Sequence, residues 1–274
     1  MIASPSTGSC ECPVPPQAAS RRRAACDRLT RMERDKYHSF TARLREGLEA
    51  DRRVLGLVAL GSMSGEPPEP DQWSDHDFFV ISRSGEQEGM RADPGWLPDA
   101  PEIALAYRET AHGVKVIYRT GHLVEFAVFD PDELQVARVN RYRTLLDRGG
   151  IEDRMRALRD RTARELPPPD SRWLWGQFVT ALLVGAVRFR RGERLSSRAL
   201  LQAAAGHLAR LSGKPADSLD PLRRFEQSFP ALGRELDEAL ARAPPEAALL
   251  LLRIAARLPE FPAVAARAVE QHLG

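Results

Sequence analysis

The 274-residue chain predicts a mixed α+β domain followed by an all-α helical bundle. Three observations carry this. Strand-like runs rich in Val, Ile and Phe are confined to the first half: "RVLGLVAL", "HDFFVIS" and "GVKVIYRTGHLVEFAVFD". An amphipathic helical repeat (Tyr37, Phe40, Leu44, Leu48) precedes the first of them. After Asp130 no strand-like alternation is evident, and helical segments punctuated by Pro and Gly run to the end.

Taken in order, "ERDKYHSFTARLREGLEAD" is a helix of about four turns. "RVLGLVAL" and "HDFFVIS" are buried strands, and the stretch from Arg83 to Pro101 is a loop that can hold a short helix. "GVKVIYRTGHLVEFAVFD" is a hairpin turning around Arg119-Thr120-Gly121. After Gly149-Gly150, "IEDRMRALRDRTARE" is helical until Pro167-Pro168-Pro169 stops it. Asp170-Ser171 then cap an apolar helix, Trp173 to Val187. Four more helical segments follow: "SSRALLQAAAGHLARL", "LRRFEQSFPALGRELDEALARA", "EAALLLLRIAARL" and "FPAVAARAVEQHL". Residues 1–31 read as a disordered extension, 32–148 as the α+β domain and 149–274 as the helical domain. Met32 opens the first helix, and a start codon assigned too early would also account for what precedes it.

Composition excludes several classes. A net charge of +2 is far from the basic excess of a protein that coats nucleic acid. The apolar run at Trp173–Val187 is about 15 residues long and contains Gln and Thr, which suits a core helix rather than a membrane span. Cys10, Cys12 and Cys26 cluster at the N-terminus and form no disulfide framework, so a reducing cytoplasm is the expected compartment. The first 30 residues lack the apolar core of a secretory signal.

The chemistry concentrates in "LGSMSGEPPEPDQWSDHDFFVIS" (60–82). Side chains two apart on a strand share a face, roughly 6.5–7 Å apart, so Asp75 and Asp77 aim together while His76 points away. Two carboxylates so placed call for a cation or a proton, and oxygen ligands of this kind suit Mg²⁺. Gly61 lets a backbone approach a phosphate, and Ser62 and Ser64 offer hydroxyls to it. Glu125, in the apolar run "LVEFAVF", shares a face with Leu123, Ala127 and Phe129. If its strand pairs beside "HDFFVIS", three carboxylates converge in a pattern that suits phosphoryl or nucleotidyl transfer. Lys115 and His112 read as ordinary surface residues, and Trp173 and Trp175 as core.

This constellation of strand, Gly61-Ser62, connector and Asp75-x-Asp77 resembles the signature of the polymerase-beta-like nucleotidyltransferase superfamily. "GHLVEFAVFDPDEL", "AVRFRRGERLSSRALL" and "LRRFEQSFPAL" look like the bacterial lincosamide and aminoglycoside adenylyltransferases, over residues 33 to about 245. The resemblance implies a mixed-sheet catalytic domain and a helical C-terminal domain. It also implies Mg²⁺-dependent transfer of a nucleoside monophosphate, AMP from ATP, to a hydroxyl of a small molecule such as an antibiotic. Asp75, Asp77 and Glu125 would be metal ligands, with Glu125 alternatively the base. Gly61, Ser62, Ser64 and Ser74 would hold the triphosphate, and Arg188, Arg191 and Arg194 would clamp phosphates from the helical domain. The implied partners are a nucleoside triphosphate and a small acceptor, with no membrane or nucleic acid; a homodimer stays open.

Two departures from the pattern stand out. The connector "MSGEPPEPDQW" is acidic and proline-rich, and His76 replaces an apolar residue between the carboxylates. A protein or RNA acceptor, or a nucleotide sensor without turnover, are the competing readings.

Overall fold

The computed structural model describes residues 35–67, 69–71, 73–165, 170–213 and 222–273. The N-terminal extension with its three cysteines, the expected helix start at Met32 and the helix stop at Pro167–Pro169 lie outside the described residues. The chain divides into two compact units, one through Thr162 and one from Ala163.

The first unit is built on a six-stranded sheet of β1 (Val54–Leu60), β2 (His76–Ser82), β3 (Ile103–Arg108), β4 (Gly113–Tyr118), β5 (Leu123–Phe129) and β6 (Tyr142–Asp147), in the order β3-β4-β5-β2-β1-β6. Only β2 and β5 pair in parallel, so the sheet is mixed. Helix α1, over 35–50, lays Tyr37, Phe40, Leu44 and Leu48 on one face, against Leu57, Phe78, Val80, Val116 and Phe126. The short α2 (Gln87–Ala92) adds Met90 to this layer. Helix α3 (Ile151–Glu165) covers part of the opposite face, where Ile151, Met155 and Leu158 meet Val58, Ile81 and Phe129. Asp147 starts α3 by accepting backbone N–H bonds from Ile151 at 2.9 Å and Glu152 at 3.0 Å. These bonds hold its carboxyl below the ordinary aspartate range. Because α3 packs on the sheet, the α+β unit runs past Gly149-Gly150 into this helix.

Two strands depart from the sequence expectation. β6 follows Asp130, in a region expected to hold only helices. It is an edge strand whose Arg143 and Asp147 are exposed, so its alternation is masked by charge. β3, at the other edge, is almost wholly exposed and includes Ala104, Leu105 and Ala106, residues with little strand preference of their own. Both edges form because a hairpin or bulged partner is already in place.

Among the described residues the second unit is all-helical: α4 (Ser171–Arg190), α5 (Arg194–Leu211), α6 (Phe225–Ser228), α7 (Pro230–Leu240), α8 (Pro244–Ala255) and α9 (Ala263–Glu270). Asp170 caps α4, accepting from Arg172 N–H at 3.3 Å. Trp175, Phe178, Leu182, Leu208 and Leu251 centre its core, and alanines such as Ala204 and Ala248 let the helices approach. Trp175 is core as expected, whereas Trp173, two positions earlier in the helix, is 50% exposed. Among the described residues no helix is long and apolar enough to cross a membrane.

Candidate functional site

β1 ends in the buried pair Ala59 and Leu60, and the chain then turns sharply at Gly61, whose φ of 49° lies in the left-handed region. The short 3-10 turn Gly61–Ser64 follows, closed by Gly65 at φ 78°. Its two hydroxyls are turned inward. Ser62 Oγ donates to the Asp75 carbonyl at 3.4 Å and lies 3.3 Å from Tyr37 Oη. Tyr37 Oη donates to the same carbonyl at 3.1 Å, so α1, the turn and the entry to β2 are tied at one point. Burial pushes the Tyr37 phenol up to about 12, and it stays neutral as a donor. Ser64 Oγ donates to Gly61 O at 2.8 Å, which holds the turn shut. The Ser74 hydroxyl is engaged with Asp71, in a side-chain turn within the connector. What the turn offers outward is therefore backbone rather than these hydroxyls.

Strand alternation separates the next three residues as expected. Asp75 and Asp77 are half-buried, while His76 between them is fully buried on the α1 face. There the His76 ring stacks on Tyr37, with Nε2 3.0 Å from Thr41 Oγ1 and Nδ1 2.8 Å from His122 Nε2. Burial, then the neighbouring His122, push His76 down to about 3, so it is a neutral core histidine.

Glu125 lies on β5, the strand next to β2 in the sheet. β5 runs parallel to β2 with Asp77 directly opposite Glu125. Neighbouring strands lie roughly 4.8 Å apart, so the two side chains leave the sheet side by side. Beyond them Phe79, Ala127 and Phe129 continue the same face into the α3 layer, which leaves the carboxylate end uncovered by that helix's apolar contacts.

Lys115 belongs to this site, contrary to its reading as an ordinary surface residue. It stands opposite Glu125 across the β4/β5 hairpin, and its Nζ lies 3.1 Å from Glu125 Oε1 and 2.9 Å from Glu109 Oε1. Glu109 first, then Glu125, raise its pKa above the ordinary lysine value. The signal was present in the hairpin itself: a turn centred on Thr120 pairs residues equidistant from it, Lys115 with Glu125. His112 is likewise built in, with Nδ1 3.0 Å from an Arg91 amine in a network with Glu133.

The Gly61–Ser64 turn also has cationic neighbours that the sequence reading missed. Arg143 of β6 donates to Met63 O at 3.2 Å and lies against Gly65, where an added Cβ would sit 3.3 Å from its guanidinium. Arg141 donates to Pro67 O at 3.1 Å. Finding them required knowing that β6 exists. Arg188, Arg191 and Arg194 sit in the second unit around the α4/α5 turn at Gly192. There Arg188 pairs with Glu193 at 2.5 Å, and Arg191 and Arg194 are exposed.

As a metal site the donor set fits magnesium in kind: oxygen ligands only, partly exposed, two of them alternating on one strand. Among the described residues, however, no three His, Cys, Asp or Glu side chains are grouped so as to hold an ion. Glu125 is engaged by the Lys115 ammonium. Asp75 and Asp77 are the pair suited to a hydrated ion completed by phosphate oxygens.

No protein-family profile matches the chain, and no curated protein matches it by sequence. Among solved structures it is similar to an aminoglycoside 6-adenyltransferase from Bacillus subtilis. That match has a TM-score of 0.27 and 11% identity, over 85% of this chain and 89% of that one, a likeness too distant to speak for chemistry.

Proposed function

We propose that this chain is a Mg²⁺-dependent nucleotidyltransferase that moves AMP from ATP to a hydroxyl of a small molecule. The observation that supports this most is the register of β2 and β5. It sets Asp77 beside Glu125, with Asp75 one alternation away and the Gly61 turn tied to Asp75 through Ser62 and Tyr37.

In this reading Asp75 and Asp77 would hold the ion, which when bound supplies charge neutralisation for the triphosphate. Backbone of the Gly61–Ser64 turn would approach the phosphates. Arg143, beside Met63 O, would add the positive charge that the acidic connector (Glu66, Glu69, Asp71) lacks. Glu125 would take the acceptor's proton. The acceptor oxygen then forms a bond to the α-phosphorus, the bond from that phosphorus to the bridging oxygen breaks, and pyrophosphate leaves with the electron pair.

The test is incubation with Mg-ATP and a panel of hydroxylated antibiotics, aminoglycosides and lincosamides included, read by mass spectrometry. The expected result is an acceptor heavier by one AMP residue, abolished by EDTA and restored by Mg²⁺. Absence of any adduct across the panel, with ATP left intact, would sink the proposal.

A further inference from the structure

The second unit carries a cleft of about 420 Å³ that opens among α5, α6 and α7. Small-molecule sites typically measure roughly 300–1,000 Å³. The apolar part of its lining comes from Ala205 of α5, Phe225 of α6 and Leu236 of α7, each at most 5% exposed. Gly233 lets α6 lie close to α7: a Cβ there would stand 2.8 Å from Glu226 Cγ, so the Glu226 side chain runs along the α7 backbone.

Both charged residues on the lining are acidic. Glu226 and Asp237 line the cleft and remain exposed, Gln202 adds an amide, and among the described residues no Lys, Arg or His lines it. Neither carboxylate takes part in an ion pair among the described residues, whereas Glu235, on the same helix as Asp237, is held by Arg257. A second source of negative charge is independent of these side chains. Asp237, Leu240 and Ala241 lie at the C-terminal end of α7, where the helix dipole leaves partial negative charge on the last carbonyls. Helices often answer that charge with a Lys or Arg in the last turn, and α7 has none there.

An apolar floor below a rim of one charge sign suits an amphipathic cation. Its body displaces water from Phe225 and Leu236, while its ammonium stays at the wet rim beside the carboxylates and the helix end. An anion of the same shape meets the same rim with the sign of the interaction reversed.

We propose that the cleft among α5, α6 and α7 is a binding site for a small organic cation, an amine carried on an apolar or aromatic body. The site stands on the second unit alone and is independent of the proposed nucleotidyl transfer.

The test uses two fluorescent probes with one apolar body and opposite charge: dansylcadaverine, an ammonium, and dansylglycine, a carboxylate. Each is titrated into the full chain at low salt and followed by fluorescence anisotropy. Dansylcadaverine is expected to bind saturably at one site per chain. Dansylglycine is expected to bind on the order of tenfold more weakly, since each exposed rim carboxylate contributes only a modest interaction. The double variant Glu226→Gln, Asp237→Asn should remove most of that preference. Ala241→Trp, which fills the cleft from an exposed position, should abolish binding of both probes. Circular dichroism melts check folding, and Gln202→Trp, on the α5 side, replaces Ala241→Trp should that variant not fold. No saturable binding of dansylcadaverine, equal affinity for the two probes, a preference unchanged in the double variant, or full binding in the folded Trp variant would overturn the proposal.

Discussion

The two faces of β2 put opposite physics on alternate residues of one strand. On the α1 side His76, Phe78 and Val80 are fully buried, and even the imidazole is kept neutral within a cage of Tyr37, Phe40, Thr41 and His122. On the other side Asp75 and Asp77 are half-buried beside Glu125 and Lys115, a charged row outside the apolar clusters of the described residues. A polar group on the closed face is offset by internal partners, whereas the carboxylates of the other face stay partly in water. One strand thus carries a dry layer on one face and a partly exposed, charged one on the other.

The largest expected effect breaks the open face alone. Asp77→Asn should lower kcat/KM for adduct formation on the order of 10³-fold, the scale of several kcal/mol of charge stabilisation lost. Its thermal midpoint should stay near that of wild type. Adduct formation at an undiminished rate would remove Asp77 from the chemistry.

Phe78→Ala attacks the closed face. The ring is fully buried and stacked on Phe126 at 5.7 Å, so its loss should cost about 3–5 kcal/mol in chemical denaturation. A loss below about 1 kcal/mol would mean this layer is not the rigid one.

Acid should separate the faces next. His76 is held near 3 in the native state against 6.5 ordinarily, with His122 also lowered by burial. Between those values the unfolded chain binds a proton that the native chain does not, so stability rises with pH. The contribution is complete above pH 6.5 and is lost progressively as pH falls through that window. Depressed aspartates such as Asp51 and Asp147 add to the loss only below their ordinary value of 3.8. Denaturation midpoints measured from pH 7 to 4.5 should therefore fall, and His76→Phe should flatten most of that decline. An equally steep decline in the variant would show that His76 is not its source.

The smallest effect is at the junction of the two faces. Gly61→Ala forces a side chain into φ 49°, at about 1–2 kcal/mol of stability, and should weaken Mg-ATP binding as the turn shifts. Calorimetric unfolding and nucleotide titration of the same variant read both.

Much of the sheet's centre was legible in the sequence, because short-range geometry carried it. The hairpin turn at Arg119–Gly121 pairs β4 with β5, and apolar runs mark β1 and β2. The edge strands β3 and β6 were not legible, since each pairs on one side only and carries charged or weakly strand-forming residues. Missing β6 also hid Arg143 and Arg141 beside the Gly61 turn. Lys115 was in view but misread: exposure and charge suggested a solvated surface, while its hairpin partner made it part of the carboxylate row.

By itself the sequence determined that Asp75 and Asp77 share a face and His76 does not, because covalent geometry alternates side chains along any strand. It also determined that Lys115 lies opposite Glu125, because a tight turn leaves a hairpin one register. Only the tertiary structure decided that β5 lies parallel to β2 with Glu125 level with Asp77. Register between strands about fifty residues apart depends on how both layers of core pack, and no local pattern encodes it. The same packing decided that β6 lies beside β1, which brings Arg143 to Met63 O.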